Sequence, residues 1–270
     1  MSSKPIGAIA TILAICCLFH IESCSVKEDR DDCPCHLALD FSRVPDEISD
    51  KAILLLKSSD GFSRLDTLSR SAGFDDAVRI FETDVPRKAM GLFIIAGGMI
   101  ELLPSGASIP EGMDCPDTYL MSKKIDARCD SLAIPVIMHK SYCRLSIHLQ
   151  GGNDFPRVYG FGIVGNATGY DYDGSPLTEN AGFSYFMNPD VNGNCSVCLP
   201  RQADSSLMLE IKAMGTVLRT FAIGEFIAES GYDWGKEDLE DLDVDIDYAN
   251  TGVKFSIGLW ERTYNYELVI

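Results

Sequence analysis

Positive charge is what this chain has least of. Its 270 residues carry 23 Lys and Arg against 40 Asp and Glu, for a net charge of −17. Binding to a phosphate backbone rests on clustered cations, so nucleic acid is set aside as a partner. Tryptophan is also scarce, with only Trp234 and Trp260, neither in an obvious aromatic cluster. Sugar faces stack on Trp and Tyr in largely pre-formed sites, so a glycan-binding surface lacks its usual platform. The vocabulary of catalysis is thin too. Beyond the N-terminal segment the histidines are His36, His139 and His148, with no G-x-S-x-G elbow and no H-E-x-x-H helix. Carboxylates are plentiful, but no pair stands out as an acid and base for glycoside hydrolysis. No catalytic, cofactor-binding or metal-ligating residue is singled out, and the expectation is a non-enzymatic protein without a cofactor. No apolar run reaches the about 20 residues needed to span a bilayer.

One shorter apolar run is present. After Lys4 the chain carries no charge from Pro5 to Phe19, and Ile6, Ile9, Ile12, Leu13, Ile15, Leu18 and Phe19 make the segment greasy. A basic residue, a short apolar stretch and a small residue at the boundary form a secretory signal. It ends Ile21-Glu22-Ser23-Cys24, which resembles a bacterial lipobox with Glu22 in place of the usual small residue. The alternative is ordinary cleavage, with Cys24 a free or paired thiol. On the lipobox reading residues 1–23 are removed and Cys24 carries lipid, whose three acyl chains exceed the two needed for stable anchoring. The charged run Lys27 to Asp32 that follows cannot collapse onto a core and reads as a solvated tether over residues 24–35. Its order of lysine and acids resembles the surface-export signal of Bacteroidales lipoproteins; a plain acidic linker is the other reading.

Seven cysteines follow Cys24: Cys33, Cys35, Cys115, Cys129, Cys143, Cys195 and Cys198. An odd number leaves at least one unpaired in a monomer, and spacing does not set connectivity. The C-x-x-C of Cys195 to Cys198 with Cys33, Cys35 and His36 is a zinc alternative to buried or paired thiols, but C-x-C is a poor knuckle.

Alternation at period two dominates the rest and predicts half-buried strands. Leu37, Leu39 and Phe41 oppose His36, Ala38 and Asp40; Leu145, Ile147 and Leu149 oppose Arg144, Ser146 and His148. Ala52–Leu56 and Leu92–Ala96 are continuous apolar runs, read as buried strands. Short helices are expected over Tyr119–Arg128 and Glu225–Glu229. Many short strands broken by Gly, Asn, Asp and Pro give an all-β protein of two tandem β-sandwich domains, 36–140 and 141–270.

Four stretches in order carry a family resemblance: "DRDDCPCHLALDFS" after the lipobox, "VPRKAMGLFIIAGG" at Val85 to Gly98, "GFGIVGNATGYDYDGSPL" at Gly160 to Leu177, and "DLDVDIDYANTGVKFSIGLWE" near the end. Together they resemble the FimB-type fimbrial anchor family of Bacteroidales, which holds type V pili at the cell surface. The resemblance implies two transthyretin-like β-sandwich domains behind a lipidated tether, fimbrial subunits as partners, and a lipid-anchored, surface-exposed place in the outer membrane. The alternative of another class is a surface glycan-binding lipoprotein.

Three motifs have plainer readings. "GFGIVG" satisfies G-x-G-x-x-G but lies inside a strand, not between a strand and a helix as a dinucleotide site requires. "YDYDG" with Asp171 and Asp173 resembles the start of a calcium loop, but Pro176 and its strand-like surroundings favour a hairpin turn. Asp241, Asp243, Asp245 and Asp247 alternate with Leu242, Val244 and Ile246, which puts four carboxylates on one face and reads as a solvated sheet edge. At the C-terminus Tyr264, Tyr266, Leu268 and Ile270 share a face. That strand is expected to close its own sandwich, with donation to a neighbouring subunit as the alternative.

Overall fold

The computed structural model describes residues 33–48, 51–69, 79–150, 159–178, 182–247, 252–259 and 262–269. The signal, Cys24 and residues 25–32 of the tether lie outside the described residues, as does Trp260.

The chain is all-β. In the first half β1 (Cys35–Asp40) lies between β4 (Ile80–Val85) and β9 (Ser131–Pro135) in a three-stranded sheet. It pairs antiparallel with β4 and parallel with β9. Facing it is a five-stranded sheet in the order β10 (His139–Lys140), β8 (Tyr119–Asp126), β5 (Ala89–Ala96), β2 (Lys51–Lys57) and β3 (Ser63–Ser69). Side chains alternate across a strand, so Cys35, Leu37 and Leu39 of β1 meet Leu54, Leu56, Leu92 and Ile94 in one core, all with zero exposure.

The second half repeats the plan with different strands. One sheet runs β16 (Asn194–Pro200), β11 (Tyr142–Gln150), β19 (Leu242–Asp247), β20 (Gly252–Leu259) and β21 (Arg262–Val269). The other runs β15 (Phe183–Met187), β12 (Tyr159–Gly165), β17 (Met208–Ala213) and β18 (Thr216–Phe221). Leu145, Ile147, Phe161, Ile163 and Leu209 fill the space between them, with Ile223 and Ile227 of α1 (Ile223–Glu229) closing one end.

A further small sheet joins the halves. β6 (Glu101–Leu103) and β7 (Gly106–Ser108) come from the first half, β13 (Gly169–Asp171) and β14 (Pro176–Leu177) from the second, in the order β14-β13-β7-β6. This sheet explains the continuous apolar runs. Leu54 and Leu56 of β2 face the sandwich core, whereas Leu55 faces a second core with Phe93, Ile95, Leu120, Ala107 and Tyr170. A strand covered on both faces reads as an unbroken apolar run.

Several expectations are corrected here. Tyr119–Arg128 is a strand, β8, over all but its last two residues. Met121 and Ile125 share a face at a spacing of four in a strand as in a helix, and Leu120 is buried on the opposite face. The helix at Glu225–Glu229 is present, starting two residues earlier. The aspartates of "DLDVDID" are not on an edge: β19 is an inner strand, parallel to β11 and antiparallel to β20. Leu242 and Val244 are buried and Asp241 and Asp243 exposed, so the alternation gave the faces correctly and the neighbours wrongly. At the C-terminus β21 pairs with β20 from Gly252↔Val269 to Leu259↔Arg262, as an edge strand of its own sheet.

The joining sheet has little room to spare. A Cβ at Gly106 would overlap the Tyr170 carbonyl oxygen, and one at Gly169 the Ala107 carbonyl oxygen. Tyr170 is fully buried and its hydroxyl donates to the Ser141 carbonyl at 2.9 Å. Removing the hydroxyl in Tyr170→Phe leaves that buried carbonyl without its donor, and is expected to lower stability in urea unfolding by about 1–2 kcal/mol. Gly106→Val, which forces β7 off β13, is expected to cost more than Tyr170→Phe in the same measurement.

Candidate functional site

The place where the tether region meets the fold is built around the head of β1. Cys33 and Pro34 are exposed and lead straight into Cys35, which is buried. An open cleft of about 430 Å³ lies beside this entry, lined by Cys33, Pro34, Asp84, Val85, Pro86, Arg87 and Lys88. Arg87, which lines it, forms an ion pair with Asp130, from the turn after β4 to the turn before β9. Lys88 pairs with Asp60 at 2.6 Å, fastening the β2–β3 turn to the same region. The Lys88 ammonium and the Ser58 hydroxyl hold the Asp60 carboxyl down at about 2. Cys35 Sγ lies 3.9 Å from Cys129 Sγ.

On the outer face of β1, His36 Nδ1 is 3.2 Å from Asp84 Oδ1 and its Nε2 is 3.7 Å from Glu82 Oε1, both on β4. The hydrogen bond to Asp84, helped by Glu82, raises the imidazole above its ordinary 6.5. The pair sits in solvent, where such contacts add little to stability.

Around the junction the charges are acids answered by bases. Asp238 accepts from the Lys140 amide, Lys140 Nζ pairs with Asp241 at 2.6 Å, and Arg144 pairs with Asp117 at 3.1 Å. Tyr172 packs edge-on against Phe93 with ring centres 5.2 Å apart, and its hydroxyl donates to the Leu103 carbonyl. Tyr170 and Tyr172 thus bring the second half into the first. The sequence pattern did not reveal this, since "YDYDG" reads as a turn alone. The turn is there, with Asp173 Oδ1 accepting from the Ser175 amide at 2.9 Å. The missed signal is two tyrosines at i and i+2, Tyr170 inside a strand of three residues and Tyr172 in the turn directly after it, a segment too short to bury them within its own half.

The residues weighed for zinc are kept apart. Cys35 belongs to the first core, whereas Cys198 lies in the second and Cys195 packs against it. Among the described residues no three His, Cys, Asp or Glu side chains converge as metal ligands would. Burial raises the buried thiols, with Cys143 pushed up to about 12, which removes thiolate character at neutral pH. "GFGIVG" lies in β12, in an antiparallel sheet. Trp234 is packed against the second core, edge-on to Tyr232 with ring centres 4.8 Å apart, so part of its surface is not open to a sugar.

No protein-family model and no curated protein matches the chain. Solved structures do. The fimbrial anchor protein Mfa2 from Porphyromonas gingivalis superposes over 87% of this chain and 100% of that one, at 9% identity and a TM-score of 0.60. The chain shares that fold. A candidate polysaccharide-binding protein from Bacteroides thetaiotaomicron matches 86% of this chain and 98% of its own, at 11% identity and a TM-score of 0.62. A candidate adhesin from Bacteroides ovatus matches 86% and 95%, at 12% identity and 0.57. The resemblance to the fimbrial anchor family therefore holds at the level of fold.

The histidine pair gives a testable titration. A proton on His36 is favoured in the folded state, so its small contribution is complete below about 6.5 and is lost as pH rises through the higher folded value. NMR titration of His36 is expected to give a midpoint above 6.5, and Asp84→Asn is expected to bring it down.

Proposed function

We propose that this chain is an outer-membrane lipoprotein, held through Cys24 and facing outward, which anchors a fimbria at the cell surface and takes part in its assembly. In this reading residues 1–23 are removed and the tether runs from Cys24 to Pro34, since Cys35, placed in the tether by sequence alone, is the buried first residue of β1; the two sandwiches follow, divided near residue 140. The role is non-enzymatic, and its partners are fimbrial subunits and the membrane.

The observation that carries the reading is the position of β1. The strand that follows the tether is the middle strand of its sheet, bonded on both sides. Subunits that join by strand addition need an open edge or groove; here the slot between β4 and β9 is filled by the chain's own strand. A subunit whose first strand stays in place, with its N-terminus on a membrane, is suited to ending a fibre. The shared fold with Mfa2 supports this reading, as do the lipobox and the acidic tether. A surface glycan-binding lipoprotein is the rival reading, and the likeness to a candidate polysaccharide-binding protein gives it some support.

Metabolic labelling with a fatty-acid probe is expected to mark the protein, and Cys24→Ala to abolish the label and release fimbriae into the medium. Persistence of the label in Cys24→Ala would refute attachment there. Cross-linking on intact cells is expected to recover fimbrial subunits; polysaccharide without a fimbrial partner would favour the rival.

A further inference from the structure

The head of β1 holds a pair of thiols that the anchoring role does not use. Cys35 and Cys129 are 94 positions apart in the chain, yet their sulfurs are 3.9 Å apart. They meet because β9 runs parallel to β1, with His36 opposite Ser131 and the His36 amide donating to the Asp130 carbonyl at 2.9 Å. Cys35 lies inside the first core and Cys129 packs against it, so both sulfurs face one apolar environment. Cys35 is fully buried, whereas Cys129 is partly exposed. Disulfides need sulfurs at about 2.05 Å and Cβ atoms roughly 3.5–4.5 Å apart. The two sulfurs are already in contact, and bonding requires the two side chains to close that gap.

We propose that Cys35 and Cys129 are joined as a disulfide in the exported protein, clamping β1 into its sheet where the tether enters. The bond forms by exchange with a protein disulfide donor of the oxidising compartment. Cys129 gives up its proton and its thiolate attacks one donor sulfur. The donor's S–S bond breaks, leaving a mixed disulfide and one donor thiolate. Cys35 then gives up its proton and attacks Cys129 Sγ, expelling the second donor thiolate. Two electrons pass from the cysteines to the donor, whose two sulfurs take up two protons and leave as a dithiol. The order follows from access: Cys129 can be reached from solvent, while Cys35 is buried and its thiol is raised by that burial.

The bond itself does not depend on the lipid, but its mechanical value rests on the anchoring reading above. Tension on a tethered protein enters at Cys33 to Cys35. Without the bond, the load falls first on the hydrogen bonds at the head of β1, the His36 amide to the Asp130 carbonyl among them, and the end of a strand frays before its middle. With it, load passes from Cys35 into the turn before β9, next to the Arg87–Asp130 ion pair.

The full-length chain, exported to an oxidising compartment, should be alkylated without reductant, digested and analysed by mass spectrometry. The expected result is a Cys35 peptide joined to a Cys129 peptide, both free of alkyl label and separated by dithiothreitol. Reduction is expected to shift the folding equilibrium roughly 1,000-fold toward the unfolded chain, given the length of the closed loop. That shift should be absent from Cys129→Ser, which changes a side chain outside the fully buried set. Cys33→Ser should keep the bond. Alkylation of both thiols, or Cys129 found joined to Cys33, would overturn the proposal. If the bond is present and Cys24 takes no lipid, the clamp stands and the anchoring reading fails. If Cys24 takes lipid and the bond is missing, the clamp fails and the anchoring reading stands.

Discussion

The rest of the molecule depends on β1 occupying the middle of its sheet. Cys35, Leu37 and Leu39 are fully buried and Phe41 nearly so. Burying one such aliphatic side chain is worth about 1.5–3 kcal/mol. Withdrawing the strand would also leave the backbones of β4 and β9 without their ladder partners, since both pair with it along its length. Losses of that size approach the whole stability of a domain, about 5–15 kcal/mol. The strand next to the tether is therefore structural, and the first sandwich offers no vacant slot along it.

The two halves are also held to each other. The joining sheet provides the link. β7 and β13 are paired with almost no clearance, Tyr170 reaches across to the Ser141 carbonyl, and Tyr172 packs on Phe93. Covering the outer face of β2 and β5 in this way gives the halves a shared apolar core in addition to their own. Under the anchoring proposal, in which load passes between a membrane and a fibre, a buried junction of this kind would resist separation better than a solvated linker.

The sequence disclosed this architecture unevenly. Strands with one wet face were plain: Leu37 and Leu39 against His36, and Leu145 and Ile147 against Arg144, are buried and exposed as the alternation requires. Strands with two covered faces are legible only as apolar runs, and β8, whose residues divide between two cores, carries a four-residue spacing that also fits a helix. Which strands lie side by side was not legible. Alternation fixes a strand's faces and says nothing of its neighbours, so it does not show that β19 is an inner strand or that Tyr170 links the halves. At the candidate site the approach of Cys35 to Cys129 was hidden for the same reason, because it arises from a parallel pairing of segments far apart in the chain.

Native-state hydrogen exchange tests the central claim, that β1 is a permanent part of its sheet, most directly. The amides of Leu37 and Leu39 should exchange only through global unfolding, at rates matching those of Leu92 to Ile95 in β5. If the β1 amides instead exchange orders of magnitude faster than those of β5, the strand opens on its own, and an anchor built on its permanence is contradicted.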